Sequence, residues 1–365
     1  MTDIFAGGDV DKSKLKQNGK YPVLANALTN DGIVGYYDED FRIEAPSVTV
    51  TGRGDVGHAQ ARKVNFTPVV RLLAIKSNHD VDFLENAINN HKVLVESTGV
   101  PQLTSPQLGN YKILFPSLKE QSKIGSFFST LDHLITLHQR KLNNTKELKK
   151  SLLQKMFPKN GENVPEIRFP NFTNAWEQYR LGDVANHRGG TAIEKHFDEN
   201  GKYKVISIGS YGLDSQYVDQ GIRAVSNEIT DNRVVHKGEL TMVLNDKTAN
   251  GTIIGRSLLI DTDDEFVINQ RTEIVSPKEK LDSSYAYVIL NGPFREKVKR
   301  IVQGGTQIYV NYPAVEKLPF ELPSIDEQTK IGTFFTQLDN LITLHQRRLK
   351  HLQKQKKALL QQMFI

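Results

Sequence analysis

The ten residues LDHLITLHQR at 131–140 return as LDNLITLHQR at 338–347, with His133 against Asn340 as the single change. The match continues without a gap, 116–158 against 323–365, at an offset of about 207 residues with about 26 of 43 positions identical. Solenoid units are roughly 20–50 residues long, so this period is too long for one. It divides the chain into two halves, each a globular part followed by the repeated segment. At roughly 100–200 residues per domain, 365 residues accommodate that division, and each half is long enough to bury a core.

Each copy opens with proline and then Ser-x-x-Glu, Ser117 with Glu120 and Ser324 with Glu327. That pattern predicts a capping box, in which serine and glutamate satisfy each other's orphan backbone N–H groups at a helix start. No proline interrupts either copy, and glycine occurs only at Gly125 and Gly332. Steps of three and four residues then pick out one stripe. In the first copy it is Ile124, Phe128, Leu131, Ile135, His138, Leu142, Thr145, Lys149, Leu152 and Met156. In the second it is Ile331, Phe335, Leu338, Ile342, His345, Leu349, Leu352, Lys356, Leu359 and Met363. The stripe predicts a coiled-coil seam of period near 3.5, imperfect at its histidines and lysines.

Forty helical residues make a rod of roughly 60 Å, longer than a small domain can cover. The expected partner of each rod is the other copy. Two like rods, each following a globular domain, can pair antiparallel, with a domain at each end and a pseudo-twofold axis between them. Two helices packed separately on their own domains are the alternative. The seam residues expected to pair are Ile124, Phe128, Leu131, Ile135, Leu142, Leu152, Ile331, Phe335, Leu338, Ile342, Leu349 and Leu359. His138 and His345 have no carboxylate or histidine at i+3 or i+4, so they read as polar seam residues that fix register rather than as metal ligands. The basic tails of both helices, such as Arg347, Arg348, Lys350, Lys354, Lys356 and Lys357, read first as a solvated face, with DNA or a partner subunit as the alternative.

The globular halves are much less alike. FAGGDVDKSKLKQNGKYPVL at 5–24 resembles HRGGTAIEKHFDENGKYKVI at 187–206, and little else matches. Runs such as SVTVTG, HKVLVES, YKVISIG, GTIIGRSLLI and FVINQRTEIV predict strands and hairpins; VDFLENAINNH and SYAYVILNGPFREKVKRIV predict helices. The expected class is α/β mixed (α+β) with irregular sheets. The expected boundaries are a first domain at 1–115, a helix at 116–158, a linker at 159–174, a second domain at 175–322 and a second helix at 323–365. Divergent domains on near-identical connectors suggest that the connectors keep a geometry while the domains vary what they recognise.

Catalytic patterns are missing: no phosphate loop, dinucleotide fingerprint, HExxH pair or nucleophile elbow occurs. The absence of cysteine removes thiolate metal sites and disulfides and fits a reducing, cytoplasmic setting. No signal peptide or long apolar run is present, which predicts no membrane partner. A net charge of +5 and a pI near 9.0 permit a polyanionic partner.

Base-edge readers are mostly Arg, Lys, Asn and Gln carried on reachable loops. The glycine-rich turn TGRGDVGH at 51–58 presents Arg53 and His58. Its counterpart in the second half is LNDKTANGTIIGR at 244–256, presenting Asn245, Lys247, Asn250 and Arg256. Arg188, Lys195, Arg223, Gln270, Arg271, Gln307 and Tyr309 are further DNA-binding candidates, each weighed against an ordinary surface hairpin.

PSLKEQSKIGSFFSTLDHLITLHQRKL and PSIDEQTKIGTFFTQLDNLITLHQRRL resemble the Pro-x-x-x-Glu-Gln-x-x-Ile-x-x-Phe-x-x-x-Leu-Asp helices of Type I restriction–modification specificity subunits. AWEQYRLGDV at 175–184 resembles that family's Trp…Leu-Gly entry to a target recognition domain. The resemblance implies a non-catalytic subunit whose two target recognition domains each read half of a bipartite, asymmetric site on double-stranded DNA. It implies that the helices set the gap and dock two methylation subunits, with restriction subunits joining the full complex. No cofactor would belong to this chain; S-adenosylmethionine, ATP and Mg would sit on those partners. Domains reading sites one DNA turn apart need a separation near 34 Å, within reach of such rods. The leader NVPEIRFPNFTNAWEQYRLG at 163–182 has no counterpart before the first domain, which is expected to start inside its fold. A coiled-coil scaffold without DNA specificity is the alternative, and an enzyme with an unrecognised site is a third reading.

Overall fold

The computed structural model describes residues 2–93, 99–159 and 161–364. Two compact units emerge, Met1–Lys141 with His345–Ile365 and Leu142–Leu344, so each long helix is shared between them.

In the first unit the main sheet has the antiparallel order Thr2–Ala6, Leu72–Ser77, Ser47–Thr51, Ala59–Arg62. Alternation along these strands sorts two cores. Val48, Val50, Leu73 and Ile75 pack under Val81, Leu84 and Ile88 of the helix Val81–Asn90. Leu72 and Ala74 face the other way, onto Leu24, Ile43 and Phe66. The second unit repeats the order as Ala185–Gly189, Thr272–Pro277, Leu240–Val243, Ser257–Leu259, with the helix Ser283–Asn291 in the equivalent place. Both units add a small sheet containing a parallel pair, Tyr21–Leu24 with Thr67–Pro68 and Tyr203–Ile206 with Phe266–Ile268. The mixed α/β class read from the sequence is the class observed.

One glycine of each Gly-Gly has a steric cause, with Gly7 matching Gly190 in the structure, one residue off the alignment of 5–24 with 187–206. A Cβ at Gly7 would lie 1.9 Å from the Val69 carbonyl oxygen, and one at Gly190 would lie 2.0 Å from that of Asn269. Only glycine allows the chain leaving the edge strand to approach that closely.

Several expected elements are interrupted. FVINQRTEIV is two strands separated by a turn in which Arg271 has φ 66°. In GTIIGRSLLI only Ser257–Leu259 is a strand, because 251–256 belongs to the preceding loop. SYAYVILNGPFREKVKRIV is two helices, Ser283–Asn291 and Pro293–Lys299, parted at Gly292-Pro293. Most of HKVLVES lies outside the described residues.

The long helices are Leu118–Lys155 and Ile325–Met363. In the first unit Phe128, Leu131 and Leu352 form a buried cluster joined by Ile124, Ile135 and Leu359. In the second, Leu152 and Met156 pack with Ile331, Phe335 and Leu338. Leu142, Ile342 and Leu349 are also buried. The helices run antiparallel within each unit: Lys356 meets Asp132 at 2.6 Å and His345 meets His138 at 3.1 Å in the first, and Lys149 meets Asp339 at 2.5 Å in the second. These pairs explain the imperfect seam. Lysines stand in the stripe because the aspartate of the repeated Leu-Asp faces them, and an offset of 207 residues converts one ion pair into the other.

At each helix start a glutamine ties the rod to its domain. Gln121 accepts from Asp80 N–H at 3.2 Å and donates to the Pro116 carbonyl at 2.8 Å. Gln328 accepts from Asp282 N–H at 2.9 Å and donates to the Pro323 carbonyl at 2.9 Å. Asp80 and Asp282 are the N-caps of the short helices. One turn on, a Cβ at Gly125 or Gly332 would lie 2.8 Å from the Phe83 or Tyr285 backbone nitrogen, so glycine lets two helices cross. The reciprocal capping box needs correction at both starts, since only its serine half forms at the first. Ser117 Oγ accepts from Glu120 N–H at 3.4 Å, but the Glu327 carboxylate is taken by Arg168, at 2.7 Å from both Nε and Nη2. A guanidinium fork matches a carboxylate better than one backbone N–H does.

Candidate nucleic-acid interface

Each main sheet ends in a hairpin that leaves from the same frame. In the first unit Thr51 N–H bonds the His58 carbonyl at 3.0 Å, and Gly57 N–H returns to Thr51 at 2.8 Å. In the second, Val243 N–H bonds the Arg256 carbonyl at 3.0 Å, and Gly255 N–H returns to Val243 at 2.9 Å. Gly57 and Gly255 both take positive φ, 82° and 69°, as this turn requires. Between these anchors the second loop, 244–255, is about twice as long as the first, 52–57.

A second chain segment lies beside each loop. Arg53 pairs with Gln102, and Asn245 pairs with Tyr309 in a short antiparallel ladder. A third supplies an arginine. Gly52 N–H bonds the Arg71 carbonyl at 3.0 Å and Leu244 N–H bonds that of Arg271 at 2.9 Å; the two arginines have φ 79° and 66°. Positive φ is rare for a residue with a side chain. Its recurrence turns an exposed arginine off the sheet edge at the same place in each unit.

The second unit therefore gathers Asn245, Tyr309, Gln270 and Arg271 at one edge. Exposed Lys247 and Asn250 lie on the long loop, and Gln307 on the hairpin ending in Ile308–Tyr309. Gln270 Nε2 donates to Glu194 Oε1 at 3.0 Å, which places Lys195, next in the 3-10 turn Glu194–His196, beside the same edge. A cavity of about 550 Å³ lined by Thr191, Gln270, Arg271 and Asn311 opens there. Its floor holds His187, with Nδ1 2.7 Å from Glu273 Oε1 and the ring 4.5 Å from Tyr312. Burial pushes the Glu273 carboxyl above its ordinary value, and His187 opposes that.

Four candidates stand elsewhere. The Arg188 guanidinium is held by both oxygens of Glu239, at 2.8 and 2.7 Å. Arg223 donates to the carbonyls of Gly201 and Lys202, at 2.7 and 3.1 Å. His58 sits at the base of its loop, where burial first, then Arg62 and Lys356, push its imidazole below the ordinary value. Its counterpart Arg256 turns back to Ser215 Oγ at 2.9 Å. In the first unit Arg53 remains at the exposed edge, beside Arg71 and Gln102. Arg71 escaped the sequence reading, although PVVRLLAI and INQRTEIV align on their arginines.

Among the described residues no three His, Asp or Glu side chains are placed to hold a metal ion, and no helix is long and apolar enough to cross a membrane. The arrangement offers donors and forked side chains on a rim rather than a nucleophile with a base, which suits recognition.

Known proteins agree with this architecture. A crystal structure of a Type-I restriction-modification system S subunit from M. genitalium superposes with a TM-score of 0.68 over 100% of this chain and 94% of that one, at 15% identity. The MjaVIII specificity subunit of a Type I restriction enzyme from Methanocaldococcus jannaschii is 24% identical over 278 residues, 74% of this chain and 65% of that protein. A protein of Mycoplasma pneumoniae named as a type I specificity subunit is 30% identical over 156 residues, 41% of this chain and 43% of that one. The matched regions thus span less than two thirds of these curated relatives. The family profile described as Type I restriction modification DNA specificity domain matches residues 1–147 and again 173–354. With both halves matched, the chain belongs to the Type I restriction modification DNA specificity domain family.

Proposed function

We propose that this chain is the sequence-reading, non-catalytic subunit of a Type I restriction–modification complex. Each β-rich domain reads one half of a bipartite, asymmetric site on double-stranded DNA, and the paired helices set the gap and dock two methylation subunits. S-adenosylmethionine, ATP and Mg serve the methylation and restriction subunits and take no part in this chain's chemistry. One observation carries the reading: the same hairpin frame and the same left-handed arginine recur in both units while the side chains between them differ. Two half-sites of different sequence need that combination. Direct readers in the second unit are Asn245, Lys247, Asn250, Gln270, Arg271, Gln307 and Tyr309; Arg53 and Arg71 act in the first.

Co-expression with the methylation subunit in a host lacking adenine methylation, followed by genome-wide mapping of methyladenine, tests the proposal. A bipartite asymmetric motif is expected. Arg53→Ala should relax one half of it and Asn245→Ala the other, each by about 1–3 kcal/mol of base discrimination. A symmetric motif would mean that one kind of domain reads DNA alone. An assembled complex that methylates no motif would point to a scaffold.

A further inference from the structure

Lys247 and Asn250 are exposed on the long loop of the second unit, yet the backbone that carries them is fixed from inside. Asp246, at the start of that loop, is buried. Its Oδ1 accepts from Thr248 N–H at 3.0 Å and from Thr248 Oγ1 at 2.9 Å, and its Oδ2 accepts from Ile253 N–H at 2.8 Å. One carboxylate thus closes 247–252 into a ring. The far side of the ring is held by Arg295 of the helix Pro293–Lys299, which is also buried. Arg295 Nε donates to the Ile254 carbonyl at 2.9 Å, and Nη2 donates to those of Gly251 and Thr252 at 2.9 and 2.8 Å. Gly251 and Ile254 are buried too, Ile254 in one core with Val298 and Ile308.

A buried guanidinium usually answers a carboxylate. These three bonds go to neutral carbonyls instead, and burial, then Arg256, brings the Arg295 pKa down to about 10. Apolar residues of similar volume often replace a buried charge without loss of stability, so packing does not call for this arginine. Its fork of fixed donors does something a hydrocarbon cannot: it gathers three carbonyls of a segment that lies between strands and has no ladder of its own. The first unit holds its shorter loop with one residue. Asn26 Oδ1 accepts from Gly52 N–H at 2.7 Å, and Nδ2 donates to the Arg53 carbonyl at 2.7 Å. In both units a polar side chain from outside the loop therefore fixes the backbone beneath an exposed reader.

We propose that Asp246 and Arg295 in the second unit, and Asn26 in the first, are positioning residues for half-site recognition, which rests on the reading that these loops face DNA. They act through the loop backbone, on Lys247 and Asn250 in one unit and on Arg53 in the other, and none of the three has to touch a base. A loop ordered beforehand loses less conformational entropy on contact. A wrong base then meets a side chain that cannot swing aside, so its unpaired groups cost the complex more. Base discrimination, more than affinity for DNA as such, should therefore depend on these three residues.

The test uses the full chain assembled with its methylation subunit. Dissociation constants are measured for the site found by methyladenine mapping, for sites altered in one half, and for unrelated duplex. Arg295→Lys keeps the charge but not the fork, and Asp246→Asn turns one acceptor of the ring into a donor. Each should narrow the affinity ratio between the matched site and one altered in the second unit's half by at least about tenfold, with the other half's ratio unchanged. Asn26→Ala should do the reverse. Asn26 is half-buried, so its variant tests the inference even where the buried changes unfold the second unit, and thermal unfolding separates those cases. A merely structural role would weaken matched, altered and unrelated DNA together and leave both ratios intact, which overturns the inference. A wild-type complex that discriminates no better than its variants in both halves overturns it alone. A wild-type complex with no ratio to lose overturns the DNA reading and this inference with it.

Discussion

Glu120 and Glu327 occupy the same place in the same repeated motif, yet one carboxylate is exposed and the other is fully buried under an arginine. The glutamine after each and the glycine one turn on do the same structural work in both units. The difference teaches that the repeat specifies a frame, whereas what covers the frame decides which residues contribute stability and which remain available. The hairpins repeat the lesson: shared anchors at Gly57 and Gly255 enclose loops of different length and chemistry.

The largest asymmetry should appear when the covered acid loses its partner. Arg168→Ala leaves the Glu327 charge buried without compensation and should cost about 3–5 kcal/mol. Glu120→Ala should stay within about 0.5 kcal/mol, as an exposed change does. Denaturant unfolding of both variants measures the contrast, and equal losses would break it. The glycines supply the opposite check. Gly125→Ala and Gly332→Ala each drive a methyl against a backbone nitrogen at 2.8 Å, so both should lose about 1–3 kcal/mol. A loss confined to one would show that the two crossings are not equivalent.

The seam ion pairs should separate the units by a smaller amount. Side-chain exposure is 23% and 17% for Lys149 and Asp339, against 26% and 41% for Lys356 and Asp132. Removing Lys149 leaves the better buried aspartate, at about 1–3 kcal/mol. Removing Lys356 leaves a half-solvated one, at about 0.2–1 kcal/mol. Amide exchange of the two helices under native conditions reads both; equal effects would reduce the difference in burial to one without energetic consequence.

The repeat, the helices and their apolar stripe were legible because helix pairing is written in spacing, and spacing survives without coordinates. The reason for lysine in the stripe was not, since Asp132 and Asp339 answer it from the opposite helix. Glu327 was misassigned for a similar reason: local pattern proposes a capping bond, and Arg168, far away in sequence, offers a stronger one. Within the domains, residue content found strands and helices but not their ends, which turn on single residues such as Arg271 and Gly292. Candidate loop residues were found by composition; Arg188 carried the same signal and is engaged by Glu239. Arg71 escaped because its significance is a backbone angle shared with Arg271, not a side chain in a motif.

The smallest effect concerns pH and distinguishes the units by degree. His138 and His345 face each other with Nδ1 atoms 3.1 Å apart. Burial first, then His345, Arg348 and Lys141, push the His138 imidazole below its ordinary value. His58, in the same unit, is lowered in the same direction. A histidine whose folded value lies below its unfolded one binds its proton more readily in the unfolded chain. Its contribution is therefore intact above about pH 6.5 and is lost as pH falls from there towards the folded value, at no more than about 1.4 kcal/mol per pH unit for each proton. Glu85 in the first unit and Glu273 in the second are both raised by burial, which stabilises either unit on acidification and so offsets in the comparison. Amide exchange followed from pH 7.5 to 5.5 should show the first-unit half of the helix pair loosening more than the second-unit half. His138→Gln with His345→Gln should remove most of that excess and His58→Gln the remainder. A residual excess after all three changes would move the sensitivity away from the seam.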